Sequence, residues 1–262
     1  MIQSRPASAA DAHPTLTLRG IGKSFGGVNA VVDASFSVLP GTITGLIGPN
    51  GAGKSTTLSI VSGEIEPSTG TVHFLGQDVT GSRMHELARR GLVRTFQHSS
   101  EFPRMTVMEN LLVAASPVRR DALWTALIGP RRWAAAQDQD VARARALMDR
   151  FELHNENEYA GNLSGGQKRL LELMRALMAQ PKALLLDEPM AGVNPSLARQ
   201  VEEHLLELRS DGLTMLMVEH ELATVERLCS VVITMANGRV IAEGSMAEVR
   251  TNQDVLDAYL IG

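Results

Sequence analysis

One cysteine, Cys229, stands in 262 residues, and aromatic residues make up only 4% of the chain. A lone thiol cannot close an internal disulfide, so a reducing compartment suits the chain and the core must hold the fold. The neighbours Leu228 and Val231 predict an apolar, inert setting for that thiol. An excess of positive charge is also missing: 25 Lys and Arg face 29 Asp and Glu, for a net charge of −4. Neutralising a nucleic-acid backbone takes a basic patch and leaves a domain basic, so no nucleic-acid partner is expected. No stretch approaches the ~18 continuous apolar residues of a membrane span, and the N-terminus lacks the apolar core of a secretory signal. The chain is therefore not expected to cross a bilayer. Residues Met1 to Pro14 show no clear period and read as a loose leader, and no internal repeat is evident.

What is present is ample apolar material, 44% of the chain. A chain of this length buries roughly three quarters of the surface it exposes when unfolded, enough for one or two closely joined domains. The start reads as antiparallel strand: Leu16 to Leu18 and Val31 to Val38 flank Gly26-Gly27, and Pro40-Gly41 turns the chain into Ile43 to Ile47. After Lys54, the residues Leu58, Val61 and Ile65 suit one face of a helix ending near Gly63 or Pro67. Strand, glycine loop and helix in that order are an α/β signature. From Thr106 to about Leu177 helical features dominate, which predicts a helical insert over about 104–178. Thr106 and Glu109 have capping-box spacing ahead of Leu111, Leu112 and Ala115, and a second helix is expected over Asp138 to Phe151. Between them, Ser116 to Ala136 carries Trp124 and Trp133 and suits packing and a partner contact equally. Beyond it, Ala183 to Leu186 and Met215 to Val218 read as buried parallel strands on either side of a helix over Leu197 to Leu208. Val231 to Met235 and Val240 to Ala242 flank Asn237-Gly238, a strong hairpin signal.

Three short stretches carry chemistry. Gly48-Pro49-Asn50-Gly51-Ala52-Gly53-Lys54-Ser55 fits the P-loop pattern between an expected strand and an expected helix, the context that pattern requires. Its glycines let backbone N–H groups curl around phosphates, Lys54 neutralises β/γ oxygens, and the Ser55 hydroxyl suits Mg²⁺. Leu184-Leu185-Leu186-Asp187-Glu188 sets two acids at the end of an apolar strand, where ligands gather in open α/β sheets. Asp187 there suits Mg²⁺, directly or through water, and Glu188 suits a general base for the attacking water; two acids at a strand end are also, by themselves, an ordinary solvated end. Leu163-Ser164-Gly165-Gly166-Gln167 has capping-box spacing before a helix bearing Leu170, Leu173, Met174 and Leu177. An ordinary cap does not call for two consecutive glycines, each costing about 1 kcal/mol relative to alanine, whereas bare N–H groups at a helix start suit an anion.

In that order these stretches resemble an ABC ATPase, and the resemblance runs from about Thr15 to the C-terminus. It implies a P-loop NTPase cassette over 15–262, with an N-terminal antiparallel β subdomain, a mixed-sheet RecA-like core and a helical signature subdomain. The cofactors implied are ATP and Mg²⁺. In that family two cassettes sandwich two ATP molecules head to tail, so Ser164, Gly165, Gly166 and Gln167 act on the partner's nucleotide. Nucleotide contacts are implied for Gly48 through Ser55 and for Thr56 directly after them. Phe25 matches the aromatic residue that stacks on adenine, where tyrosine is commoner. Gln97, after the run Leu92 to Phe96, resembles the Q-loop glutamine that contacts Mg²⁺ and the attacking water, and His220 matches the switch histidine. Asn194 in Ala191-Gly192-Val193-Asn194-Pro195 departs from the aspartate common at that position.

Arg94-Thr95-Phe96-Gln97, then Phe102, Met105-Thr106-Val107 and Glu109-Asn110-Leu111, look like the ATPase of branched-chain amino acid importers, as does the close Asn252 to Leu260. The partners implied are a second ATPase subunit, like or unlike, two transmembrane permease subunits and, through them, an extracytoplasmic substrate-binding protein. The implied location is peripheral, on the cytoplasmic face of the inner membrane, with the groove after Gln97 (Phe102, Pro103, Met105) receiving the permease. Related cassettes for urea, short amides, aromatic acids and lipopolysaccharide share much of the pattern. ABC ATPases of DNA repair interrupt the cassette with a long coiled coil, but Lys54 and Ser164 lie only about 110 residues apart and heptads are absent. Translation factors of this type carry two cassettes, and this chain has one P-loop. Glu188 and His220 together argue against a cassette that binds ATP without hydrolysing it.

Overall fold

The computed structural model describes residues 13–95, 101–115 and 130–261. Two strands, β1 (Leu16–Phe25) and β2 (Val28–Val38), form a hairpin around Gly26-Gly27. After β3 (Ile43–Ile47) and α1 (Lys54–Val61), β4 (Thr69–Phe74) and β5 (Gln77–Asp78) return to the hairpin and complete an antiparallel sheet of order β2-β1-β4-β5. The second sheet holds β3 with β6 (Leu92–Arg94), β7 (Ala183–Asp187), β8 (Thr214–Val218), β9 (Val231–Ala236) and β10 (Arg239–Gly244), in the order β10-β9-β3-β8-β7-β6. Pairs from β9 through β6 are parallel, while β10 runs antiparallel to β9 across Asn237-Gly238, so the sheet is mixed.

The central strands are buried on both faces. Leu184, Leu186, Met215 and Met217 belong to the core shared with the helices between β6 and β7. Their neighbours Ala183, Leu185, Leu216 and Val218 belong to the core shared with α1 and the antiparallel sheet. Successive strand side chains point to opposite faces, so a strand covered on both sides reads as one apolar run without polar alternation.

Between β6 and β7 the regular elements described, apart from one short 3-10 turn, are α3 (Val107–Ala114), α4 (Pro130–Arg150) and α5 (Gly165–Met178). Thr106 caps α3 through a reciprocal pair: the Glu109 amide donates to its hydroxyl (3.2 Å) and its own amide donates to the Glu109 carboxylate (2.7 Å). Helix α4 begins at Pro130, well before the expected Asp138; proline suits a first helical position because its missing N–H has no helical partner there. Trp124 and the rest of 116–129 lie outside the described residues, as does most of the leader. Asn110, fully buried, shapes the loop before α3. Its amide donates to the carbonyls of Phe102 (3.1 Å), Met105 (3.3 Å) and Thr106 (2.9 Å), and its oxygen accepts from the Phe102 amide (2.9 Å). The loop so fixed presents Phe102, 43% exposed, to the surface.

The remaining helices are α2 (Met84–Arg90), α6 (Pro195–Ser210), α7 (Leu222–Leu228), α8 (Met246–Thr251) and α9 (Gln253–Ile261). Among the described residues no helix is long and apolar enough to cross a membrane. Cys229 packs beside Gly45, where a Cβ would come within 2.9 Å of its sulfur. Burial, helped by the charge of Glu219, pushes its thiol up to about 12. The reactive thiolate is therefore scarce at pH 8, and a chromogenic disulfide reagent is expected to label Cys229 in denaturant but not in the folded chain. Rapid labelling of the folded protein would contradict the buried setting.

Candidate functional site

The P-loop, the acid pair and His220 converge because β3, β8 and β7 are adjacent and parallel. Leu46 of β3 pairs with Val218 of β8, and Val218 in turn pairs with Asp187 of β7. The loops leaving these strand ends lie side by side at the carboxyl edge of the sheet, where ligands bind in open α/β folds. Gly48 has φ 146°, and an added Cβ would collide with the Met235 carbonyl, so only glycine fits as the loop leaves β3. Lys54, 5% exposed, donates to the carbonyls of Gly48 (2.8 Å) and Pro49 (3.0 Å). Burial lowers its pKa, while the charges of Glu188 and Asp187 act in the opposite sense. Ser55 and Thr56 follow in the first turn of α1, with Ser55 exposed.

Asp187 is 1% exposed; one carboxylate oxygen accepts from the Arg94 guanidinium at 2.7 Å, and Oδ1 has no partner among the described residues. An orphaned, buried carboxylate oxygen, on a group whose charge acts on the P-loop Lys54, fits a hard divalent cation such as Mg²⁺, which takes one or two protein ligands and fills its shell with phosphate and water. Glu188 has φ 47°, a left-handed conformation that costs a non-glycine residue about 1–3 kcal/mol and clusters at functional sites. Its Oε1 lies 2.7 Å from His220 Nε2. Two residues distant in sequence thus meet across the ends of β7 and β8.

Phe25 ends β1, 50% exposed, with the Lys23 ammonium 5.2 Å from its ring centroid. The hairpin that carries it lies against the P-loop: the Val32 amide donates to the Gly238 carbonyl (2.8 Å), and the Gly238 amide donates to the Ala52 carbonyl (3.1 Å). Gln97 lies outside the described residues; two positions before it, the Thr95 amide donates to the Leu185 carbonyl of β7 (2.9 Å).

The signature stretch stands apart. Ser164 caps α5: its hydroxyl accepts from the Gln167 amide (3.3 Å), and the Gln167 side chain accepts from the Ser164 amide (3.0 Å). The capping box is thus formed. A Cβ on Gly166 would run into the tip of Leu197, whereas Gly165 faces open space. Close packing on α6 therefore accounts for one glycine and not for the other. Ser164 to Gln167 line a groove of about 530 Å³ with Gly192, Val193 and Asn194, and no P-loop residue, Asp187, Glu188 or His220 lines it. Asn194 caps α6 by accepting from the Leu197 amide (3.0 Å), a local role that suits asparagine as well as aspartate.

Residues 31–191 match the family described as ABC transporter. The chain is an ATP-binding cassette of the ABC transporter family. Cassettes of this family hydrolyse ATP, and this one is an ATPase. Residues 239–260 match a second family, described as branched-chain amino acid ATP-binding cassette transporter. The cassette is 39% identical, over 94% of its length and 95% of the relative's, to the "Probable branched-chain amino acid transport ATP-binding protein LivG" of Archaeoglobus fulgidus. It is 37% identical to the high-affinity branched-chain amino acid transport ATP-binding protein LivG of Escherichia coli K12, over 94% and 98% of the two chains. Among solved structures it resembles the ADP conformation of an ATP-binding cassette of an ABC transporter, at 36% identity and a TM-score of 0.82 over 95% and 99% of the two chains.

Three residues of the cassette's site were not found by sequence reasoning. Arg169 of α5 donates to the carbonyls of Glu188 (2.6 Å), Pro189 (2.9 Å) and Asp187 (3.3 Å), fastening the signature helix to the acid loop of the same chain. Glu219, 5% exposed, accepts from the amides of Met190 (3.1 Å) and His220 (3.1 Å), joining the loops after β7 and β8. Burial raises its pKa against those hydrogen bonds. Arg94 ends the short strand β6 after two apolar residues, and that lone cation was the one available signal. The tail also approaches the site. Asp254, Asp257 and Ala258 of α9 line a groove of about 450 Å³ with Pro49 to Ala52 of the P-loop.

Proposed function

We propose that the cassette binds MgATP at the P-loop and powers the import of branched-chain amino acids through separate permease subunits. The substrate reading is supported by the match of residues 239–260 to the branched-chain family and by the names of relatives 33–39% identical over most of the chain. On this reading residues 15–262 are the cassette, about 104–178 its helical subdomain and 1–14 a leader. Lys54 and the backbone N–H groups of Gly48 and of Asn50 to Thr56 hold the phosphates, with Pro49 between them, and Phe25 stacks on the adenine. Ser55 and Asp187 hold Mg²⁺, with Gln97 as a further contact; bound there, the ion neutralises phosphate oxygens. Glu188 takes the proton of the attacking water, with His220 orienting the carboxylate.

Ser164, Gly165, Gly166 and Gln167 act on the nucleotide of a second cassette, a sister or an identical copy, a reading supported by their groove being separate from their own P-loop. The loop fixed by Asn110, with Phe102 exposed, receives one of two permease subunits at the cytoplasmic face of the inner membrane; an extracytoplasmic binding protein supplies the substrate. ATP binding closes the pair and switches the permease, and hydrolysis reopens it. The test is uptake of labelled leucine, isoleucine and valine by cells lacking the protein, complemented with the native chain or Lys54→Ala. Uptake restored by the native chain alone is expected. Unchanged uptake in the deletion would remove branched-chain amino acids as substrate and point to urea, amides or aromatic acids.

A further inference from the structure

Arg94 ends β6 with its side chain only 10% exposed, and it reaches two elements at once. One terminal nitrogen, Nη2, donates to Asp187 at 2.7 Å. The other, Nη1, lies 3.0 Å from the Ser59 hydroxyl, 3.1 Å from the Ser62 hydroxyl and 2.7 Å from Glu64. Ser55, Ser59 and Ser62 are spaced i, i+4 and i+7, so they share one face of α1 and its C-cap. The face that Arg94 grips is thus the one whose first turn carries Ser55.

We propose that Arg94 is a positioning residue that braces the two halves of the metal site, tying the helix that presents Ser55 to the strand end that presents Asp187. This rests on the reading of Ser55 and Asp187 as the Mg²⁺ residues. The planar guanidinium fork suits the task, because it offers one edge to the carboxylate and another to the helix in fixed relation. By holding a single oxygen of Asp187 it also fixes the carboxylate's rotation and leaves the buried Oδ1 as the atom available to a cation. The pair is expensive to bury: the serine hydroxyls and Glu64 accept from Nη1, while Nε has no partner among the described residues.

The test is the affinity of the full-length cassette, saturated with ATP, for Mn²⁺, read from the electron paramagnetic resonance signal of the free ion. Groups that orient metal ligands typically contribute about 10- to 100-fold in metal affinity, and a loss of that size is expected for Arg94→Gln. Partial recovery is expected in Arg94→Lys, which keeps the charge and loses the fork. The double variant Ser59→Ala/Ser62→Ala keeps the ion pairs to Asp187 and Glu64 and removes the two hydroxyls through which Arg94 holds α1 and its C-cap; a several-fold loss is expected. Ser55→Ala serves as the control for the underlying reading. If Ser55→Ala weakens Mn²⁺ binding and Arg94→Gln leaves it at the native value, the brace is wrong and the metal site stands. If neither variant changes it, the metal reading fails and the brace falls with it. Should Arg94→Gln not fold, the double serine variant decides, and native Mn²⁺ affinity there overturns the proposal.

Discussion

Glu188→Gln is expected to leave ATP binding intact and to slow steady-state phosphate release about 10²- to 10⁴-fold, the usual contribution of a positioned general base. The substitution keeps the shape of the side chain and removes its ability to accept a proton. The backbone that aims it is held from elsewhere: Arg169 donates to the carbonyls of residues 187 to 189, and the Glu188 amide donates to the Val218 carbonyl at 3.0 Å. The left-handed φ of 47° is therefore set by the surroundings and survives the change. The amide oxygen can still accept from His220, so the 2.7 Å contact does not require a carboxylate. A separation of effects follows, with nucleotide affinity near native and turnover lost. Phosphate release together with equilibrium binding of a fluorescent ATP analogue checks it; turnover within a few-fold of native would take Glu188 out of the base role.

Lys54→Ala is expected to do the reverse and lose the nucleotide itself. The Lys54 ammonium is buried at 5% exposure within the turn of the loop, bound to two of that loop's own carbonyls. On the proposed reading its removal takes away the cation assigned to the phosphates, and with it goes the internal tie to the Gly48 and Pro49 carbonyls. A hydrogen bond to a charged group contributes about 1.5–3 kcal/mol, which corresponds to roughly 10- to 100-fold in affinity. Titration calorimetry with ATP measures this directly, and circular dichroism on the same sample separates it from unfolding. A dissociation constant within two-fold of native in a folded variant would contradict the phosphate-binding role.

The parts of the site that were legible in the sequence share one property: each is built from consecutive residues. The glycine loop from Gly48 to Ser55 suits phosphate through backbone N–H groups a few positions apart, so its chemistry is written at fixed spacing. The same holds for the capping boxes at Thr106 and Ser164 and for the hairpin turn at Asn237-Gly238, all formed by neighbours in the chain. Strands β7 and β8 were legible because they are covered on both faces and their middles are hence uniformly apolar. Less legible were β4, β5 and α2. β5 is two residues long and α2 seven, too short for periodicity to register, and their formation depends on the antiparallel sheet they join. The start of α4 was misplaced because the arginines and alanines after Pro130 offer no apolar stripe to mark it.

By itself, then, the sequence determined which residues are equipped to hold phosphate, metal and a proton, since those capacities belong to side-chain types and to amides a few positions apart. Only the tertiary structure decided which of them act together. His220 meets Glu188, Glu219 joins Met190 to His220, and Arg94 joins Asp187 to α1, because β8 inserts between β3 and β7 and sets three loops side by side. Strand order is fixed by the packing of both cores at once, and no local pattern in the chain encodes it.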